Sequence, residues 1–183
     1  MTATFDKDIA LNAILYVAER IGERKDMHKI FKTLYFADKY HLSRYGRCIT
    51  GDDYIAMDYG PVPSKINDAF KAVRGESYFS AGDLSTYFHF VNKMMIEIDK
   101  QADLDYLSES DIECLDEAIA LCKDKSFNEL CSLSHSEAWN ATKKNTKIRL
   151  GDILREEGDS EDYINFINHN VRQERDFCYA VTI

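Results

Sequence analysis

The chain has 183 residues, 45% of them hydrophobic and 12% aromatic, with 2 prolines and a formal charge of −9 at pH 7. That is ample material for one core, and at this length folding buries roughly 70% of the unfolded chain's surface, which excludes a disordered, collagen-like or disulfide-knot polypeptide. The charge is uneven, +2 over residues 1–75 and −11 over residues 76–183, so the second half offers an acidic surface able to steer a basic partner.

In chain order, the apolar run from Ile9 to Ala18 is ten residues long and follows Asp6 and Asp8 in place of a basic stretch. It reads as neither a signal peptide nor a membrane span. Ile9, Ala13, Tyr16, Val17 and Ile21 recur at helical spacing, which predicts a first helix over 6–21 with Asn12 and Glu19 on its outer side and Gly22 as its stop. A second helix over 27–43 packs through Ile30, Phe31, Leu34, Tyr35 and Leu42, and Gly46 suits the left-handed position past its end. The two form a hairpin. Basic residues from Arg20 to Arg47, among them Lys29, Lys32 and Lys39, are expected on solvated helix faces, where they make a local positive surface.

Helix then gives way. Thr50-Gly51-Asp52 reads as a turn and Asp53–Tyr59 alternates as a short strand, while Gly60-Pro61-Val62-Pro63 is barred from helix because its prolines remove two donors and hold the preceding residues extended. Ser64 is expected to cap a third helix with Ile66, Ala69, Phe70 and Val73 inward and Gly75 at its end. From Tyr78 to Ile98 an aromatic, β-branched and Met-rich pattern predicts two strands turning near Asn92-Lys93, which join Asp53–Tyr59 in one antiparallel sheet.

Ser108 with Asp111, and Ser126 with Glu129, carry the capping signature of helices over 108–122 and 126–135. Trp139 falls in the next turn, and a last helix covers 160–172 with Tyr163, Phe166, Ile167 and Val171 inward. The expected fold is α+β, mainly α: about six helices with a small antiparallel sheet or hairpin. It forms a single domain over 1–183, with its core at 6–142 and an extension at 143–183 that carries one helix.

Motifs for catalysis are missing. Neither G-x-G-x-x-G nor a P-loop nor H-E-x-x-H nor a G-x-S-x-G elbow occurs. Cys131 and His135, four apart on one helix face, lack the second ligand pair that zinc requires, so no metal or cofactor is expected. The cysteines (Cys48, Cys114, Cys122, Cys131 and Cys178) form no C-x-x-C pair and read as reduced thiols of a cytoplasmic protein.

The informative stretch is 33–70. Asp38 and His41 stand one turn apart there; with Asp52 they make the trio a small hydrolase or transferase would use, and the plainer alternative is a pair that fixes the following loop. Tyr35, Tyr45, Tyr54, Met57 and Tyr59, in a segment stiffened by proline, suit protein recognition instead.

Two ordered blocks over about residues 9–142 resemble a known family. The first is Leu34-Tyr35-Phe36-Ala37-Asp38-Lys39-Tyr40-His41-Leu42, then Tyr45-Gly46-Arg47 with Ile49-Thr50-Gly51-Asp52, then Tyr59-Gly60-Pro61-Val62-Pro63-Ser64. The second is Leu107-Ser108-Glu109-Ser110-Asp111, then Leu130-Cys131-Ser132-Leu133-Ser134-His135 with Trp139. Together they are similar to the Panacea domain, the SocA-like family of bacterial and phage-associated antitoxins. The chain departs from it at Asn67, where an aromatic is common, and in the Ser136–Ala138 spacing before Trp139.

The resemblance implies a non-enzymatic antidote that neutralises a cognate protein toxin by direct binding, in some members also delivering it to a cytoplasmic protease. The candidate partner-binding residues are Tyr35, Asp38, His41 and Arg44 on the second helix, Tyr45, Arg47 and Asp52 after it, and Tyr54, Met57, Tyr59, Pro61, Val62, Pro63 and Ser64 on the stiffened segment. No catalytic residue and no membrane partner are expected. One rival is the enzyme built on Asp38, His41 and Asp52. Another is a DNA-binding regulator, which the negative charge and the lack of a helix-turn-helix or finger spacing disfavour.

Overall fold

The computed structural model describes residues 4–77 and 81–181. Tyr78, where the expected strand pattern starts, and the side chain of Cys178 lie outside what is described. Helix α1 (Lys7–Arg20) begins where the Asp6 carboxylate accepts the N–H groups of Asp8 and Ile9, and α2 (Met27–Tyr45) begins where Asp26 accepts that of Lys29. Such caps each stabilise a helix start by about 1 kcal/mol. Gly46 ends α2 at φ 76°, a left-handed conformation that costs glycine little.

The nine residues Ala10–Ala18 of α1 are all buried. Asn12, expected outward, is among them: its Nδ2 donates to the Asp8 carbonyl and its Oδ1 accepts the Asp103 N–H at 2.8 Å. Burial of a polar side chain is tolerated when both ends are bonded. At the centre lies α2, packed most heavily against α4 (Glu109–Cys122), with α1, α5 (Phe127–Ser134) and α7 (Leu150–Glu157) around it.

Strands β1 (Tyr54–Met57) and β2 (Gly60–Pro63) form an antiparallel hairpin in the register Tyr54 to Pro63 and Ala56 to Pro61. The Pro61 carbonyl accepts from Lys32 Nζ at 2.7 Å, so it points away from β1. Because orientation alternates along an antiparallel strand, the missing N–H groups of Pro61 and Pro63 also lie on the outer edge, where the ladder does not need them. The other side of β1 bonds the 145–148 segment, through Ala56 N–H to Thr146 O and Ile148 N–H to Tyr54 O.

The second hairpin, β3 (Phe88–Phe90) with β4 (Ile96–Ile98), is a separate sheet. This corrects the single sheet expected from the sequence. β1 finds its partner across the two-residue Asp58-Tyr59 loop, the shortest connection available, and β4 instead pairs with the chain before α2, through Ile96 N–H to Lys25 O and Met27 N–H to Met94 O.

Helix α3 (Ser64–Val73) follows β2, and its N-cap position is Pro63. Ser64 caps nothing. The cap comes from a distance: Asp52 accepts the N–H groups of Lys65 at 3.1 Å and Ile66 at 2.9 Å. Capping boxes open α4 through Ser108 and Asp111 and α5 through Ser126 and Glu129, as the sequence spacing predicts. α6 (Glu137–Asn140) carries Trp139.

The C-terminal extension holds two helices, α7 and α8 (Glu161–Val181), where one was expected; with α6, that raises the described α-helices to eight. Ile148, Ile153, Leu154, Ile164 and Ile167 are buried in the common core, but Phe166, expected inward, is 59% exposed. α7 escapes a sequence reading because it is eight residues long and has no side-chain cap. No helix among the described residues is long and apolar enough to cross a membrane.

Candidate functional site

Three buried carboxylates hold the chain that links α2 to α3. Asp38, on α2, accepts the N–H groups of Ile49 at 2.6 Å and Thr50 at 3.0 Å, the Thr50 hydroxyl at 2.6 Å and the Tyr54 hydroxyl at 2.8 Å. Burial pushes its carboxyl up, and the four donors offset only part of that. Asp52 accepts from Asp53, Lys65 and Ile66, and burial pushes it up as well. The Thr50 hydroxyl accepts the Asp52 N–H while donating to Asp38, which joins the two networks.

The third carboxylate, Asp111 at the start of α4, receives Arg47 Nη2 at 2.8 Å and lies 3.1 Å from His41 Nε2. Burial raises it, but hydrogen bonds from His41 and Ser108 together with the Arg47 charge outweigh burial and hold it at about 2. His41 Nδ1 meets the Arg47 carbonyl at 2.9 Å, and Nε2 also lies 3.0 Å from the Ser110 hydroxyl. A carbonyl only accepts, so Nδ1 carries a proton.

Asp38 and His41 therefore do not pair with each other, contrary to the expectation from their spacing. Each of Asp38, His41 and Asp52 is buried and bound to its own structural partners, and the three do not converge on a common cleft.

Burial sorts the candidate recognition residues. Tyr35, Asp38, His41, Asp52, Tyr54, Pro61 and Pro63 are buried; they support the segment and offer a partner no surface. Met57, Val62 and Ser64 are half-buried. Arg44 and Tyr45 are exposed but reach across to α4, Arg44 to Glu117 at 2.6 Å and Tyr45 to Glu113 at 2.9 Å. Tyr59, at the hairpin tip, is 63% exposed.

The expected positive surface breaks up in the same way. Lys29, Lys32 and Lys39 are buried, Lys39 against Glu156 and Glu157 and Lys29 on the Lys123 carbonyl, while Arg20, Arg24 and Arg47 pair with Glu19, Asp26 and Asp111. Much of the basic charge along this stretch is thus neutralised locally, which leaves less of it to displace phosphate counterions.

Behind Tyr59 a cleft of about 410 Å³ opens between α2, the β1–β2 hairpin, α3 and α5. α2 contributes Met27, His28, Phe31 and Lys32, the hairpin Met57, Tyr59 and Val62, α3 Asn67, the β3–β4 turn Met94, and α5 Phe127. Asn67 is one of the two places at which the chain departs from the pattern it resembles. Tyr59 leans edge-on against Phe127 at 5.4 Å, and Phe127 packs on the His28 ring at 4.2 Å.

His28 Nε2 donates to the Tyr59 carbonyl at 3.3 Å and lies 3.5 Å from Cys131 Sγ. Burial and the Lys32 charge lower His28 to about 4, and burial raises the Cys131 thiol. Thiol and imidazole are thus both held neutral, the reverse of an activated thiolate pair. His135 does not join them: it stacks on Trp139 at 3.9 Å, and the Trp139 indole donates to the Met57 carbonyl at 3.1 Å. Among the described residues no group of three or more His, Cys, Asp or Glu side chains is placed to hold a metal ion.

The sequence reading missed the cleft. Its one available signal is Lys32, set four residues after His28 and between Ile30-Phe31 and Leu34-Tyr35-Phe36 on one helix.

A family model described as antitoxin SocA-like, Panacea domain, matches residues 30–140, from within α2 to the end of α6. No curated protein and no solved structure matches the chain.

Proposed function

The chain belongs to the SocA-like antitoxin family that carries the Panacea domain, and from that premise we propose that it is a protein-binding antidote that neutralises a cognate protein toxin by direct contact. The observation that carries this reading is Tyr59, a 63% exposed aromatic at the tip of a hairpin fixed by Asp38 at one end and by Asp52 at the other. Large aromatics on pre-ordered loops make interface hot spots because little ordering entropy is lost on binding. Exposed Met94 and half-buried Met57 and Val62 extend the apolar contact around it.

In this reading the domain acts in the cytoplasm and without turnover. Free Cys48, Cys114, Cys122 and Cys131 accord with a reducing compartment, and Asp38, His41 and Asp52 act as supports of the docking segment.

The test uses the cognate toxin, identified as a neighbouring reading frame that is lethal alone and tolerated with this chain. Y59A, with its melting temperature unchanged, is expected to weaken toxin binding at least about tenfold, the scale of a 1.4 kcal/mol hot spot. Full neutralisation by Y59A, M57A and Y45A, all folded, rejects the surface.

A further inference from the structure

We propose that the cleft between α2 and the β1–β2 hairpin is a binding site for an apolar ligand that ends in a carboxylate, with Lys32 as the counter-charge. This goes beyond toxin docking and does not depend on it.

The cleft measures about 410 Å³, within the span of about 300–1,000 Å³ typical of small-molecule sites. Its walls are mostly apolar and aromatic, and three of the chain's five methionines (Met27, Met57 and Met94) are among them. Unbranched thioethers adapt to the shape of whatever enters.

What selects the ligand's charge is Lys32. It is wholly buried, lines the cleft, and has the Pro61 carbonyl as acceptor for an ammonium that carries three donors. Among the described residues no Asp or Glu side chain pairs with it, whereas Lys39, on the same helix, holds both Glu156 and Glu157. No acidic side chain lines the cleft. A buried cation without a counter-ion is unfavourable; burial accordingly lowers Lys32 to about 7. A carboxylate brought in by an apolar body supplies the missing charge while the body covers the aromatic walls.

The chemistry has two sources, a free carboxylic acid and the C-terminal residue of a polypeptide. The full chain is titrated with sodium decanoate, with 1-decanol as the uncharged control, and with a peptide ending in leucine as free acid and as amide. Calorimetry gives affinity. Trp139, the one tryptophan of the chain, reports by fluorescence because its indole is bonded to Met57 on the cleft wall.

Decanoate binding at least about tenfold tighter than decanol supports a free acid, and free-acid peptide binding that amidation abolishes supports a polypeptide terminus. K32M is expected to erase the preference for charge while still binding decanol, and N67W, which fills the cleft, to lose every probe. Equal affinity for charged and uncharged probes, a preference that survives K32M, or no binding of either carboxylate overturns the proposal.

Discussion

Tyr54 donates its hydroxyl to the buried Asp38 carboxylate at 2.8 Å, which ties the first residue of β1 to the middle of α2. Three further donors, from Ile49 and Thr50, meet the same carboxylate. Y54F removes one donor and is expected to cost about 1.5–3 kcal/mol, the scale of a hydrogen bond to a charged group. D38N turns an amide NH₂ towards groups that are themselves donors, and is expected to cost about 3 kcal/mol, the upper end for leaving buried groups unsatisfied. Urea denaturation measures both. D38N within about 1 kcal/mol of the parent would refute the hub role of Asp38.

The sequence makes the helix starts legible because their chemistry is local. Ser108 with Asp111 and Ser126 with Glu129 bond within four residues, so spacing alone reveals them. The cap of α3 comes from Asp52, 13 residues before Lys65, and no local pattern reports it. The same limit explains the candidate site. Asp38 and His41 share a helix face, yet their partners arrive from Thr50, Tyr54, Ser110 and Asp111, so the spacing suggested a pair that tertiary contacts divide. Tyr59 reads in the sequence as the end of a strand over 53–59, whereas β1 stops at Met57 and leaves Tyr59 exposed in the two-residue loop. The burial of Lys32 was not legible, since burying a lysine with only a backbone carbonyl as acceptor runs against the usual preference of its type.

Asp52 rather than Ser64 holds the start of α3, and the two substitutions separate these roles. D52A removes the carboxylate that accepts from Lys65 and Ile66 and is expected to cost about 1–2 kcal/mol. S64A removes a hydroxyl that makes no cap bond and is expected to stay within about 0.5 kcal/mol. Thermal melts compare them, and the reverse ranking would return the cap to Ser64.

Asp111 sets an acid limb to stability. Its carboxyl stands at about 2 in the folded chain against an ordinary 3.8, so the folded state holds the charged form more strongly than the unfolded state does. The sign follows: its contribution is present in full above about pH 4 and is lost as pH falls through about 2. At 1.36 kcal/mol per unit the contribution is about 2 kcal/mol. D111N is therefore expected to be less stable than the parent by about that amount at pH 5 to 7, with the gap closing towards pH 2. Urea titrations at pH 7, 5, 3 and 2 measure it, and a gap that stays constant to pH 2 would reject Arg47 and His41 as the cause.

Lys32 has the opposite sense. Burial lowers it to about 7 from 10.5, so between those values the unfolded chain binds a proton that the folded chain does not, and stability rises with pH across that window. Below pH 7 both states are charged and the folded state bears the whole desolvation cost; above 10.5 neither is charged and the cost vanishes. K32M removes the ammonium while keeping most of its volume, at the loss of one bond to the Pro61 carbonyl. A buried charge without a counter-ion is unfavourable, so K32M is expected to exceed the parent at pH 6 and to lose that margin by pH 10. Other groups titrate in this range, but they are common to both chains and cancel in the difference. A difference independent of pH, or a K32M variant weaker than the parent at pH 6, would mean that Lys32 is matched by a counter-charge after all.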